Sequence, residues 1–360
     1  MKRLLLLLSI VSVALAANAT NYYVSTTGND GAAGTSPAAA WKSLSKVSSF
    51  TFAANDSILF KRGDVFYGAI TVNRNNLNFS AYGTGARPLI TGFVTLSGWT
   101  LVSTGIYKAS VSAKSYLNMV SLNGRPQRVG RYPNATETNG GFLPFEAAGS
   151  NSVTDNEMTS TVNWTGAEIA IRKNGWRIER CLITNHTGGT FTYRPLMKAN
   201  GAGAGNSSSA KLGHGYFIQD DIRTLDQFGE WYYDTTARML NMYFGANAPT
   251  SYAVQVGVID TLFNANSRSF ISVNEINFEG ANSSGVYSYF AGNVTIKNCD
   301  FTNIGSRAIH MYGTGNALVD NVKVYNCLSL SIQVICNTKT NAVVRNCLVK
   351  NNGQFAGMGS

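Results

Sequence analysis

The stretch "VTIKNCDFTNIGSRAIHMYGTGNALVDNVKVYNCLSLSI", which begins at Val294, says nearly the same thing twice. Aligned on itself, the chain brings Val273, Ile296, Val319 and Val344 to one position, followed by Glu275, Asn298, Asn321 and Asn346. Next come Ile276, Cys299, Val322 and Cys347, then Phe278, Phe301, Val324 and Val349, then Gly280, Asn303, Asn326 and Asn351, at steps of 23, 23 and 25 residues. A second strand in each unit aligns Val286, Ile309 and Ile332. A repeat this short, dense in β-branched residues and without room for a helix, holds one coil of stacked strands. Each coil adds about 4.8 Å along the axis, so equivalent side chains stack. Aliphatics, Phe and Cys then face inward, and Asn stands at the bends, where it tolerates left-handed backbone and bonds its neighbours.

The remaining composition agrees with many short strands. Charged residues make up 13% of the 360, Gly reaches 36 and Pro only 7, a texture of strands joined by turns. The opening "MKRLLLLLSIVSVALAANAT" carries two cations, an apolar run and small residues, the plan of a cleavable secretory signal over residues 1–19. A secreted protein is therefore expected, extracellular or periplasmic. No later stretch is apolar for long enough to span a membrane, so no membrane partner is expected. Losing Lys2 and Arg3 takes the net charge from +10 to +8. A basic surface suits polyanions, but the cations are scattered and no recognition motif for nucleic acid is present. Five Cys, with no CxxC, leave at least one thiol unpaired; Cys299 and Cys347 stand in slots filled elsewhere by Ile276 and Val322, so both are expected buried and inert.

Three regions differ in texture. Residues 20–115 hold Gly-punctuated strands, preceded by a short amphipathic helix suggested by Trp41, Leu44 and Val47 after a Ser-Pro start. Residues 116–253 do not repeat; within them 199–215, rich in Gly and Ser, read as a flexible loop. Residues 254–360 are the coils. They stop partway through one, with Gly357 in the slot of Val286, Ile309 and Ile332, so a C-terminal truncation is expected, because an open strand edge is normally covered.

The coils, together with "YYVSTTGNDGAAGTSPAAAWKSLSKV", "GDVFYGAITV" and "YGTGARPLITG", resemble the right-handed parallel β-helix of the pectate-lyase-like superfamily, as found in secreted polysaccharide lyases and glycoside hydrolases of Bacteroidota-like bacteria. "NGRPQRVGRYPN" and "GEWYYD" resemble an inserted β subdomain of several glycoside-hydrolase-type members. The resemblance implies an all-β, single-stranded right-handed parallel β-helix with an N-terminal capping helix and an inserted β-rich subdomain. It implies fold more than reaction, since the superfamily holds lyases, hydrolases, epimerases and non-catalytic adhesins. Leucine-rich repeats share the period, but their L-x-x-L-x-L-x-x-N pattern is absent.

A β-helix that binds a polymer does so through outward side chains of successive coils. Tyr287, His310 and Gln333 form one such column: Tyr stacks on sugar rings, Gln bonds hydroxyls, and His moves protons near neutral pH. Lyase chemistry also needs a cation to neutralise a uronate carboxylate, with Arg307 or Lys323 as candidates, and Ca²⁺ held by carboxylates as the cofactor such a lyase can use. The catalytic candidates are thus His310, Arg307, Lys323 and Asp300; the substrate-binding candidates are Tyr287, Gln333, Lys297, Asp320 and Arg345. Lys297, Asp320 and Arg345 alternate in sign, as does Asp300 beside Lys323, and such ladders also pair with one another without a substrate. Hydrolysis needs two carboxyl groups about 5–9.5 Å apart, and Asp260, Glu275, Glu279, Asp300 and Asp320 do not align between coils. Glu230 and Asp234 sit in the "GEWYYD" motif, whose resemblance implies framework use, and His186 and His214 lack metal-ligand spacing. The expectation is a monomeric enzyme that degrades a polysaccharide, acidic if the chemistry is elimination. The competing class is a non-catalytic carbohydrate-binding or adhesion β-helix.

Overall fold

The structure is a computed structural model that describes residues 19–112, 116–159, 162–175, 177–196, 209–336 and 341–353. The leader and most of the 199–215 loop lie outside the described residues. Three parallel sheets wrap one core. The first face carries seven strands, in the order Asn21–Val24, Ser57–Lys61, Leu77–Tyr82, Ile271–Asn274, Val294–Lys297, Ala317–Asp320 and Ala342–Arg345. The second carries six, Val65–Tyr67, Leu89–Thr91, Asn277–Glu279, Asp300–Ile304, Lys323–Cys327 and Leu348–Lys350. The third carries five, Ile70–Thr71, Ile259–Asn264, Ala281–Tyr289, Arg307–Thr314 and Ile332–Cys336.

The register is the one that the repeat implies. Val273 pairs with Ile296, Ile296 with Val319 and Val319 with Val344, and Phe79 continues the column backwards. Phe278 and Phe301 are fully buried and stack at 5.0 Å with an interplanar angle of 14°. Burying each such side chain stabilises the fold by about 1.5–3 kcal/mol. Cys299 is fully buried, and burial pushes its thiol up to about 12. Cys347, in the same slot of the outermost described coil, is only half-buried, against expectation; among the described residues its neighbours stack on one side alone.

The bends show why Asn recurs. Asn298, Asn321 and Asn346 have φ of 52°, 52° and 55°, and Asn303, Asn326 and Asn351 have 54°, 57° and 55°, all in the left-handed region that Asn adopts more readily than most side chains. Their amides form ladders: Asn298 donates to Asn274 at 2.8 Å, Asn321 to Asn298 at 2.7 Å, and Asn326 to Asn303 at 3.1 Å. Gly280, in the slot of Asn303, has φ +71°, and a Cβ there would fall 2.4 Å from the ring of Phe93. Asn298→Val combines a β-branched residue at positive φ with loss of two ladder bonds. It is expected to cost about 2–3 kcal/mol in denaturant unfolding, well above Asn298→Gly; equal losses for the two variants would show that the backbone conformation does not matter.

The helix spans Leu44–Ser49, with the Ser43 hydroxyl accepting the Lys46 N–H at 3.1 Å. Leu44 and Val47 are buried, and Thr71 N–H donates to Ser48 Oγ at 3.0 Å, which holds the helix against the edge strand Ile70–Thr71. Trp41 precedes the helix instead of opening it; it bridges Val24 in extended backbone and stacks on Tyr22 at 4.9 Å.

The coil is interrupted between Gly92 and Val258, whose N–H donates back to the Gly92 carbonyl at 3.0 Å. What lies between is antiparallel. Phe93–Thr95 pairs with Val254–Gly257, which pairs with Val120–Leu122. A second sheet joins Thr100–Ser103, Ile106–Ser110, Met239–Tyr243 and Trp231–Asp234. A seven-stranded sheet is centred on Glu168–Asn174 and Arg177–Thr187. The chain thus leaves the solenoid before residue 116 and returns after 253. Short alternating strands read alike whether their partners run parallel or antiparallel, so the repeat alone could not place this boundary.

Candidate functional site

Register on the third face aligns Asn264, Tyr287, His310 and Gln333, one per coil. Their strand neighbours Phe263, Val286 and Ile309 are fully buried, so the alternation of the strand carries this column away from the core. The ring of Tyr287 meets His310 edge-on at 5.2 Å and 68°. Both line a cleft of about 340 Å³ together with Asp260, Thr261, Asn264 and Tyr116. Tyr116 comes from the inserted subdomain, so the cleft lies where the two units meet.

A buried amide pair builds that junction. Asn118 N–H donates to Asn282 Oδ1 at 2.7 Å, and Asn118 Nδ2 donates to the Asn282 carbonyl at 3.2 Å. Asn282 Nδ2 donates to Asp260 Oδ1 at 3.0 Å and to the Tyr116 carbonyl at 3.4 Å. Asn118 and Asn282 are each 1% exposed, where an unmade hydrogen bond is costly. Burial, then the Asp260 carboxylate and its hydrogen bond, push the Tyr116 phenol well above its ordinary range.

Arg307 pairs in register with Ser284, one of the cleft residues, and is half-buried. Burial lowers its pKa, and its Nε has no hydrogen-bond partner among the described residues; Gln333 Oε1 is in the same condition. Burial first, and the Arg307 charge second, push His310 down to about 4, so the imidazole is neutral at pH 7. The folded value lies below the ~6.5 of an unperturbed imidazole. Stability should therefore be complete above about pH 6.5 and fall between there and about pH 4 as the unfolded chain takes up the proton first. His310→Gln should remove that part of the pH dependence in urea unfolding measured across this window, whereas an unchanged profile would mean that His310 titrates alike folded and unfolded.

The other candidates are on different faces. Asp300 and Lys323 pair on the second face, where Arg87 Nη1 donates to Asp300 Oδ1 at 3.3 Å. Lys297, Asp320 and Arg345 form a ladder on the first face. There Arg345 bonds Asp320 at 2.9 Å, and this contact, followed by the Asn346 amide, holds the Asp320 carboxyl below the usual range. These five residues therefore do not join His310. Sequence alignment of coils shows which residues share a column, but not that the three columns face three directions.

Spacing along the repeat does not mark Asp260, Tyr116 or Asn282 as site residues. Asp260 has no aligned acid in the next coil, and Tyr116 reaches the cleft only through the insertion. One signal existed: "NSS" at 282–284 is a polar run inside a strand, and all three residues are buried. Glu230 occupies a different cavity within the insertion. Its Oε2 accepts the N–H groups of Asp226 and Gln227, and burial pushes it up to about 7. His186 is buried, stacked on Phe191 at 4.1 Å. Among the described residues no three His, Cys, Asp or Glu side chains converge as a metal site.

A family model described as a right-handed β-helix region matches residues 259–358, just over a quarter of the chain. The fold is a right-handed β-helix. No curated protein matches the chain. Among solved structures, a glycoside hydrolase is similar over 87% of this chain and 74% of its own, at 12% identity and TM-score 0.61. XylC in complex with xylose follows at 10% identity over 85% of this chain and 57% of its own, TM-score 0.39. A lacto-N-biosidase from Eubacterium ramulus follows at 14% identity over 92% and 34%, TM-score 0.34. At such identities the likeness speaks for fold alone.

Proposed function

We propose that this protein is a secreted β-helix enzyme that binds an acidic polysaccharide on its third face and cleaves it by β-elimination. The observation that carries this reading is a neutral His310 lining the cleft, with a half-buried Arg307, its Nε unpartnered among the described residues, near enough for its charge to lower the imidazole. A desolvated cation is stabilised by an anion, and a uronate carboxylate supplies one. Neutralising that carboxylate acidifies the C5 proton of the sugar. His310 then takes the C5 proton, the C4–O bond breaks as the C4=C5 bond forms, and the leaving oxygen collects a proton. Tyr116, held protonated beside Asp260, is the hydroxyl suited to deliver it. No water is consumed and no second carboxylate is required, which fits a cleft with Asp260 as its one acid among the lining residues.

Incubation with polygalacturonate, alginate and hyaluronan tests the reading through the ultraviolet absorbance of the unsaturated product. New reducing ends without that absorbance would mean hydrolysis, and binding without either would mean a carbohydrate-binding module. The helix at Leu44–Ser49 is proposed to cover the first coil, since it occupies the edge of the third face.

A further inference from the structure

Where the third face turns toward the first, a group of rings stands in the open. Tyr289 lies two residues beyond Tyr287 and nearly parallel to it, at 6.4 Å and 4°. It is also nearly parallel to Tyr312 of the next coil, at 5.2 Å and 13°. Phe290 meets Tyr289 at 4.2 Å, and Phe290 and Tyr312 are 60% and 40% exposed. Phe290 also has φ 49°, a left-handed conformation that strains a bulky residue. The slots 23 residues before and after it hold Ser267 and Gly313, with φ of 55° and 61°. A Cβ at Gly313 would sit 2.6 Å from the Phe290 ring, so the phenyl group lies across a coil that has no side chain there. Core packing does not call for a strained aromatic at such a place.

We infer that Tyr289, Phe290 and Tyr312 form a sugar-stacking subsite that continues the His310 cleft and receives the pyranose that follows the two joined by the scissile bond there. The inference rests on the reading of the cleft given above. Continuity is supplied by Tyr287, which touches His310 on one side and Tyr289 on the other. Pyranose rings present apolar C–H faces to flat aromatic rings, and the two phenols can bond sugar hydroxyls. The chain of sugars then crosses the third face along the strands, from cleft to turn, instead of following the solenoid axis.

The test is calorimetric binding of galacturonate and guluronate oligomers, as disaccharide and pentasaccharide, to the wild type and to three variants: Tyr312→Ala, Phe290→Ser and His310→Ala. Phe290→Ser installs the residue that the preceding coil already carries at this slot, so it should fold. Expected is a loss of about tenfold in affinity for the pentasaccharide with Tyr312→Ala and with Phe290→Ser, and none for the disaccharide. His310→Ala should weaken both lengths. Equal weakening of both lengths by the platform variants, or weakening of neither, overturns the subsite while leaving the cleft in place. Failure of every oligomer to bind the wild type, or full binding by His310→Ala, overturns the reading of the cleft and the subsite with it.

Discussion

A His310→Ala variant is expected to lose about 10²–10⁴-fold in turnover of a uronate polysaccharide, with KM changed much less. The imidazole would contribute a hydrogen bond to ground-state binding and act on the C5 proton in the transition state, so its loss should weaken binding modestly and fall mainly on kcat. The pH profile distinguishes a base from a structural side chain. In the free protein His310 is held at about 4, by burial and then by Arg307, so the acid limb of kcat/KM should lie near pH 4. A bound uronate brings a negative charge beside Arg307 and His310, which favours the imidazolium and raises its pKa. The acid limb of kcat should therefore lie at higher pH than that of kcat/KM. Coincident limbs would mean that no anion sits near His310 in the complex, and an unchanged kcat in the variant would remove His310 from the mechanism.

Asn282→Ala is expected to lower stability by about 3–5 kcal/mol, because it strands the buried Asn118 N–H, the Tyr116 carbonyl and a hydrogen bond to Asp260 at once. The inserted subdomain should loosen before the coils do. Hydrogen exchange at the Asn118 amide should rise in the variant while that of Val319, on the first face of the solenoid, stays protected. A loss below about 1 kcal/mol, or uniform deprotection, would mean that the subdomain is held by its apolar contacts and not by this amide.

Much of the fold was legible because a 23-residue coil is a local rule applied repeatedly. Cys299 in the slot of Ile276, and Asn298 and Asn303 at bends, each answer to neighbours one coil away. The column Tyr287, His310 and Gln333 could be read from spacing for the same reason. Lys297 with Asp320, and Asp300 with Lys323, were also found as pairs, but their faces were not. The direction of a column depends on the angle of each bend, which single residues in left-handed conformation set only in combination. The true edges of the insertion, Gly92 and Val258, were hidden because strand patterns do not reveal the direction of the partner strand. The sequence by itself therefore determined a solenoid, its period, its inward columns and its Asn bends, since these are nearest-neighbour properties of stacked coils. Only the tertiary structure decided that Tyr116 and Asp260 line one cleft with His310. Tyr116 reaches it through a subdomain that obeys no repeat, and no periodicity carries such information.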